Sequence, residues 1–589
     1  MNKAESKRKC FNKRNELLIF LLSTAFGFTV FFFSPFDIFT DNPTAFSVGL
    51  KYVAFTMLIS SALITLLTVG LLNLLLFFSK EAFSVIVRLL FGVLLAFCTQ
   101  KLFFNGRMPV LHREDARYER YVPEIAVNTV VFTIILLLPL VLYILRKLMP
   151  QNRFFVFGKD WFMPCASAVI FTVQLASAVI SVSGAADEDE SLYRQYLSYK
   201  PVMSLSQEGN IVVFLSDRLD GIWMDEMLEK YPELNESFSG FTFYRNNVSQ
   251  GTSTFPAVPQ MLTGKTYDDS EWHDYLSEAW SGDTLTSRLK KNGYNINILP
   301  DCITTVSSTA QLAGQCDNIL TLDESEVSVN YFGKKGIFSM MSRLSLAELL
   351  PYQFKPSVLY WVGANFSRGF VNYSASVSDN MRYAVGIESD IQFYDCLNRY
   401  GLNSGSENKT FSFIHLNGAH TPTAEIASLY DPTAEPDLYA TLRGDFEILS
   451  EYFRQMKELG IYDNSTIIVL GDHGRVPREL EGAQTRLDGA ITSALLIKPA
   501  HADSEKLRTD SHSELSTQFF AASVLEYAGI DHSDFGYSYN DIIKNNLSPE
   551  RYMQTFHFCG YGRMAYQSEY KITGNAMDFN NWELVDCGE

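Results

Sequence analysis

Apolar and polar positions follow two different patterns along the 589 residues. Up to residue 182 the chain is dominated by five long apolar runs, near 17–34, 52–78, 83–104, 124–145 and 161–182. Each can cross a bilayer as a helix, which takes about 20 residues, and the second has length to spare for tilt. Beyond residue 183 the runs shorten and polar turns separate them. "NIVVFLS" (210–216), "YNINILP" (294–300), "FSFIHLN" (411–417), "STIIVLG" (465–471) and "ITSALLIKP" (491–499) read as buried strands. Between them, Leu442, Phe446, Leu449, Phe453 and Met456 keep the 4-3-4-3 spacing of one helix face. Strands alternating with helices predict an α/β domain with a mostly parallel sheet flanked by helices. In such sheets, ligands bind beyond the carboxyl ends of the strands. The expected organisation is a five-helix transmembrane domain over 1–182, a juxtamembrane linker over 183–208 and an α/β domain over 209–589.

Charge gives this arrangement a direction. The start, "MNKAESKRKCFNKRN", is basic and lacks a small-residue cleavage site, so it reads as a retained anchor. Basic segments stay in the cytoplasm. That assigns to the inside the N-terminal tail, the link at Lys80 and "RKLMPQNRFFVFGKD". The other links are acidic or balanced, with Asp37 and Asp41 in one and "HREDARYER" in the other. Five crossings then put everything after residue 183 outside, in a multi-pass membrane protein.

Residues 1–186 hold 18 Lys and Arg against 10 Asp and Glu, net +8; the whole chain is −18, so the remainder is −26. This excludes nucleic acid as a partner, because a phosphate backbone needs a basic footprint. It is compatible with cation binding, although solvated surface carboxylates account for most of such charge. The outer half has Cys302, Cys316, Cys396, Cys559 and Cys587. An oxidising exterior permits Cys302–Cys316 and Cys559–Cys587 bridges, leaving Cys396 unpaired.

Candidate chemistry lies at the strand ends. The first strand ends in Asp217 ("SDRLD") and the fourth in Asp472 and His473 ("GDHGR"); the third carries His415 and leads to His420 ("HLNGAHTP"). Asp and His together suit Zn²⁺ or Mn²⁺, with Mg²⁺ at the harder end. Singly, an Asp after a strand is more often a turn former or helix cap. At one edge of one sheet, the set points to a metal. "SQGTSTFPAVPQ" (249–260) follows the first strand and offers uncharged hydroxyls after a flexible Gly251. A hydroxyl beside a metal loses its proton more easily and becomes a nucleophile.

The order strand–Asp, Gly-Thr-Ser-Thr, strand–His, strand–Asp-His-Gly resembles the sulfatase branch of the alkaline phosphatase superfamily, over roughly residues 205–530. It includes "SELSTQFFAASVLEYAGI", similar to the family's late helix. Five spans followed by this domain further resemble the membrane-anchored phosphoethanolamine transferases and the lipoteichoic acid synthases. That resemblance implies a nucleophile at Thr254, metal ligands at Asp217, Thr254, Asp472 and His473, and a phosphoryl-contacting His420. Thr252 and His415, beside these positions, are candidate substrate contacts, as is His512, which aligns loosely with another family histidine. The departures are Asp217 where those transferases usually have Glu, and Gln250 and Gln260 where the phosphoethanolamine enzymes often have cysteines. A sulfatase converts Cys or Ser in a Cys/Ser-x-Pro-x-Arg motif to an aldehyde; the window here is Thr254-Phe255-Pro256-Ala257-Val258, and Thr cannot give that aldehyde.

The resemblance implies transfer of a phospholipid headgroup phosphate, phosphoglycerol or phosphoethanolamine, through a phospho-threonine to a cell-surface glycan or lipid acceptor. Two rivals remain: a membrane-anchored phosphodiesterase or phosphatase that uses water, and a non-catalytic structural protein on the same fold.

Overall fold

The computed structural model of the chain describes residues 13–41, 50–105, 122–149, 161–185, 195–268, 270, 272–301, 311–312, 314–321, 329–331, 334–355, 357–358, 371–373, 381–383, 390–418, 420–474, 492–560 and 563–587. The chain forms two compact units, Met1–Tyr193 with Val329–Tyr373, and Arg194–Ser328 with Ser374–Glu589.

The first unit is built on α1 (Lys13–Asp41), α2 (Leu50–Phe78), α3 (Lys80–Phe104), α4 (Val122–Leu148) and α5 (Phe162–Ala185). All five are apolar and long enough to cross a membrane, and they coincide with the five apolar runs. Their outward faces carry large exposed apolar side chains such as Leu66, Phe78 and Ile180. That is costly in water and ordinary in lipid, where the backbone must be satisfied within each helix. Gly92 lets α3 touch α4, since a Cβ there would overlap the Leu136 carbonyl.

Residues 329–373, expected within the 209–589 domain, group instead with these helices. The helix Lys334–Leu349 within this segment supplies Glu348. Its carboxylate accepts from Ser34 Oγ at 2.5 Å and pairs with Lys101 Nζ at 2.5 Å, and Lys101 also pairs with Asp37 at 2.5 Å. Asn105 Nδ2 donates to the Glu348 carbonyl at 2.9 Å, and Lys355 Nζ donates to Asn105 Oδ1 at 2.8 Å. The Tyr352 N–H donates to the buried Asn128 at 2.8 Å. The insertion therefore grips one end each of α1, α3 and α4.

The second unit contains a seven-stranded sheet of β1 (Asn210–Ser216), β2 (Thr242–Tyr244), β3 (Asn295–Leu299), β4 (Thr410–Leu416), β5 (Ser465–Leu470), β6 (Leu495–Lys498) and β7 (Arg508–Asp510). Their order is β7-β2-β6-β5-β1-β4-β3, with only β6 antiparallel to its neighbours. β1, β4 and β5 are buried along their whole length, which is why each reads as a continuous apolar run. Helices complete the core: α6 (Thr254–Thr263), α7 (Leu438–Glu458) and α8 (Phe520–Ala528). α7 is capped by Asp437, whose side chain accepts the Ala440 N–H, and buries Leu442, Phe446, Leu449, Phe453 and Met456. The Tyr452 ring of α7 meets Phe214 of β1 edge-on at 5.0 Å. This is the α/β architecture, a mostly parallel sheet flanked by helices, that the strand–helix alternation predicts.

Two details differ from the expected organisation. Residues 195–206, assigned to a polar linker, form short strands and a turn of helix that bury Leu197, Tyr199 and Val202 in the second unit's core. An antiparallel sheet of β8 (Arg551–Gly560), β9 (Arg563–Ile572) and β10 (Trp582–Cys587) follows the main sheet. Of the two expected bridges, Cys302–Cys316 involves Cys302, which lies outside the described residues, while Cys316 is a buried free thiol. The side chains of Cys559 and Cys587 lie outside them as well.

Candidate metal centre

The parallel register brings three strand ends level. His415 pairs with Leu215, and Leu470 with the same Leu215, so the residues just beyond β1 and β5 face the end of β4. Asp217, His415 and Asp472 each offer a ligand atom there, all within 4.8 Å of one another. They are 4, 0 and 0 % exposed. His473 joins them, its Nε2 at 3.6 Å from Asp472 Oδ2 and 3.9 Å from Asp217 Oδ1. Its Nδ1 lies 3.1 Å from the Gly474 carbonyl. A proton on Nδ1 satisfies that carbonyl and leaves the Nε2 lone pair facing the carboxylates.

Backbone geometry holds these groups in place. Asp472 Oδ1 accepts the N–H of Arg218 at 3.0 Å and of His473 at 2.9 Å, which turns Oδ2 towards the centre. Arg218 adopts the left-handed conformation, φ +62°, and its guanidinium donates to the His420 carbonyl at 3.2 Å. Gly474 closes the Asp-His-Gly turn for a steric reason: a Cβ would overlap the Thr492 carbonyl and the Asp220 carboxylate. Gly418, φ +50°, does the same before His420, where a Cβ would run into Ser216.

Thr254 reaches this cluster directly. It is the first residue of α6, after an extended Ser253, and its Oγ1 donates to Asp472 Oδ2 at 2.6 Å. Pro256 sits in the first turn, where its missing N–H costs nothing. The positive end of the helix dipole faces the hydroxyl and favours a developing anion there. Burial pushes the Asp472 carboxyl upward, but His473, His415, the Thr254 hydroxyl and the Arg218 N–H outweigh it and hold it below the usual range.

The donor set fits a divalent cation. Two buried carboxylates share the pocket, and both His415 ring nitrogens, fully buried, have no hydrogen-bond partner among the described residues. Asp301 Oδ1 lies 3.6 Å from His415 Nδ1. A buried imidazole without partners carries a desolvation cost that a metal ligand does not. Oxygen and nitrogen donors in this mixture suit Mn²⁺ or Zn²⁺.

The other sequence candidates fall in different places. His420 is half-buried beside a cleft of about 220 Å³ lined by Asp390, Asn417, Thr421, Thr423 and Glu425, and its Nδ1 lies 3.2 Å from Thr421 Oγ1. Thr252 is tied to β8: its N–H donates to the Gln554 carbonyl at 3.1 Å, and its hydroxyl accepts the Phe556 N–H at 3.3 Å. His512 is exposed in the turn after β7, with its backbone N–H donating to Asp510 at 2.8 Å.

Sequence reasoning passed over three groups. Asp301 follows β3 by the same strand-end rule that finds Asp217. Arg218 carries no signal, because its left-handed turn is visible only in the fold. Asp390 accepts the Asn417 and Gly418 N–H groups at 2.9 and 3.2 Å and so holds the loop that leads to His420. Beside it lies Asp445 of α7, which burial, and then Asp390, push well above the usual carboxylate range.

Residues 210–530 match the Sulfatase family, more than half of the chain, and the chain belongs to that family. Similar solved structures include an alkaline phosphatase superfamily protein from Vibrio parahaemolyticus, 14 % identical with TM-score 0.40, covering 68 % of this chain and 87 % of its own. PsFucS1 sulfatase from Pseudoalteromonas sp. is 13 % identical with TM-score 0.38, over 65 and 83 %. Phosphonate monoester hydrolase SpPMH from Silicibacter pomeroyi is 13 % identical with TM-score 0.34, over 62 and 85 %. No curated protein matches the chain.

Proposed function

We propose that the chain is a membrane-anchored phosphotransferase that moves a phospholipid headgroup phosphate, phosphoglycerol or phosphoethanolamine, onto a cell-surface glycan or lipid hydroxyl. The observation that carries this reading is the Thr254 hydroxyl, 2.6 Å from Asp472 Oδ2 and next to the Asp217–His415–Asp472 cluster. A threonine there can be a nucleophile but cannot become a sulfatase aldehyde.

Asp217, His415, His473 and Asp472 would hold the divalent cation. Bound there, it neutralises charge on the phosphoryl oxygens and lowers the pKa of a neighbouring hydroxyl. Thr254 Oγ1 attacks phosphorus as the bond to the diacylglycerol oxygen breaks, and its proton passes to Asp472 Oδ2 along the existing hydrogen bond. His420 gives a proton to the departing alkoxide. In the second half the acceptor hydroxyl attacks the phospho-threonine and loses its proton to His420, while Thr254 recovers its own from Asp472.

The site would face the outside of a bacterial cell membrane. Supporting that orientation, the insertion bearing Glu348 comes from beyond the fifth helix and grips Ser34, Lys101 and Asn128. These residues lie at the helix ends that the charge pattern assigns to the exterior.

The test is mass spectrometry of the peptide containing Thr254 after expression of the full chain in a bacterial membrane. A phosphoglycerol or phosphoethanolamine adduct on Thr254 is expected. Headgroup release into water, with none carried to a sugar hydroxyl, would transfer the reading to a hydrolase.

A further inference from the structure

The loop that delivers Thr254 is held by a strand beyond residue 530, outside the family match. Gly251 and Gln554 of β8 form a parallel bridge. The Gln554 N–H donates to the Gln250 carbonyl at 2.9 Å, and the Gln554 carbonyl accepts the Thr252 N–H at 3.1 Å. The Gln554 side chain, 5 % exposed, then reaches past the loop. Its Oε1 accepts from Gln260 Nε2 of α6 at 3.0 Å. Its Nε2 donates to the Tyr267 carbonyl at 3.0 Å and to Glu569 at 3.1 Å. One residue thus holds the chain entering Thr254 by its backbone and the helix leaving Thr254 by its side chain. Both amide hydrogens and the amide oxygen are used, so no isosteric apolar side chain can replace them without leaving buried groups unpaired.

We infer that Gln554 is a positioning residue for Thr254, fixing the 249–254 loop against α6 so that the hydroxyl keeps its place on Asp472. The inference rests on the phosphotransfer reading. A nucleophile misplaced by about 1 Å loses on the order of 100-fold in rate. A clamp whose members are a strand and a helix turn holds it more tightly than the loop could alone.

The test uses the full-length protein in detergent with Mn²⁺ and bis(p-nitrophenyl) phosphate as probe, and reads turnover together with hydrogen exchange of residues 249–263. In Gln554→Leu, kcat should fall about 100-fold with KM within about twofold. Exchange of 249–263 should rise about tenfold or more, while β1, β4 and β5 exchange as in the wild type. The double variant Q554E/E569Q restores the inter-strand hydrogen bond and the acceptor for Gln260, and should recover about tenfold of the lost kcat. An active wild type with Gln554→Leu equal to it, or a loss of exchange protection spread over the whole sheet without rescue, overturns the inference alone. A wild type that cleaves no diester overturns the reading beneath it, and localised exchange in Gln554→Leu would then still separate the two failures.

Discussion

Among the described residues, a half-buried charge cluster in the first unit and a buried one in the second are built on opposite plans. In the first unit, Lys101 stands between Asp37 and Glu348 at 2.5 Å from each, with Ser34 completing the second carboxylate. Charge of each sign meets its partner within the protein, and the result ties the 334–355 insertion to the helices. In the second unit, Asp217 and Asp472 are brought together with His415, whose ring nitrogens have no hydrogen-bond partner among the described residues. There the backbone aims Asp472 Oδ2 and Thr254 inward, at a place where a cation would sit. The contrast is between charges that pair with one another and tie the insertion to the helices, and two carboxylates set side by side with a histidine, a donor set that would suit a cation.

The largest expected effect is Thr254→Ala, which removes the proposed nucleophile; headgroup release from phospholipid vesicles should drop on the order of 10⁴-fold or more, with the sheet intact by circular dichroism. His415→Ala comes next. It should weaken divalent-metal affinity at least about tenfold in a calorimetric titration, because a buried ligand is lost, whereas a histidine serving only packing would leave affinity unchanged.

At the closed cluster, Lys101→Met strands two neighbouring carboxylates and should cost about 3 kcal/mol in detergent unfolding. The same change should not alter metal affinity. The smallest effect is expected at Asp445. The folded chain keeps a proton on this carboxyl that the unfolded chain releases, so stability falls as pH rises above the unfolded value of about 3.9. Asp445→Asn should therefore exceed the wild type in thermal stability at alkaline pH and lose that advantage towards pH 4.

Hydropathy alone shows α1 to α5, because a lipid-facing helix must be apolar on every side. The five strands β1, β3, β4, β5 and β6 read as apolar runs because both faces of the sheet are covered. β2 and β7 are three residues each, too short for periodicity to distinguish them. The reversed direction of β6 leaves no trace, since a buried run looks the same either way. Asp217 and Asp472 share a sheet edge because both end parallel strands, a relation readable from sequence. His415 is legible as a third strand-end candidate, and the register of β4 against β1 brings it within reach of both carboxylates rather than among substrate contacts. The contacts of Glu348 with Lys101, and of Gln554 with Gln250, span hundreds of residues. No local pattern encodes such pairs.

The contrast between the two clusters, and the enzyme reading with it, is tested most directly by calorimetric titration of Mn²⁺ and Zn²⁺ into the full-length protein. Wild type, D217A/D472A and K101M/E348M would be compared. Saturable binding in the wild type and in K101M/E348M, abolished in D217A/D472A, is the predicted result. No binding in the wild type, or equal binding in D217A/D472A, would contradict the assignment of the strand-end cluster as a metal centre.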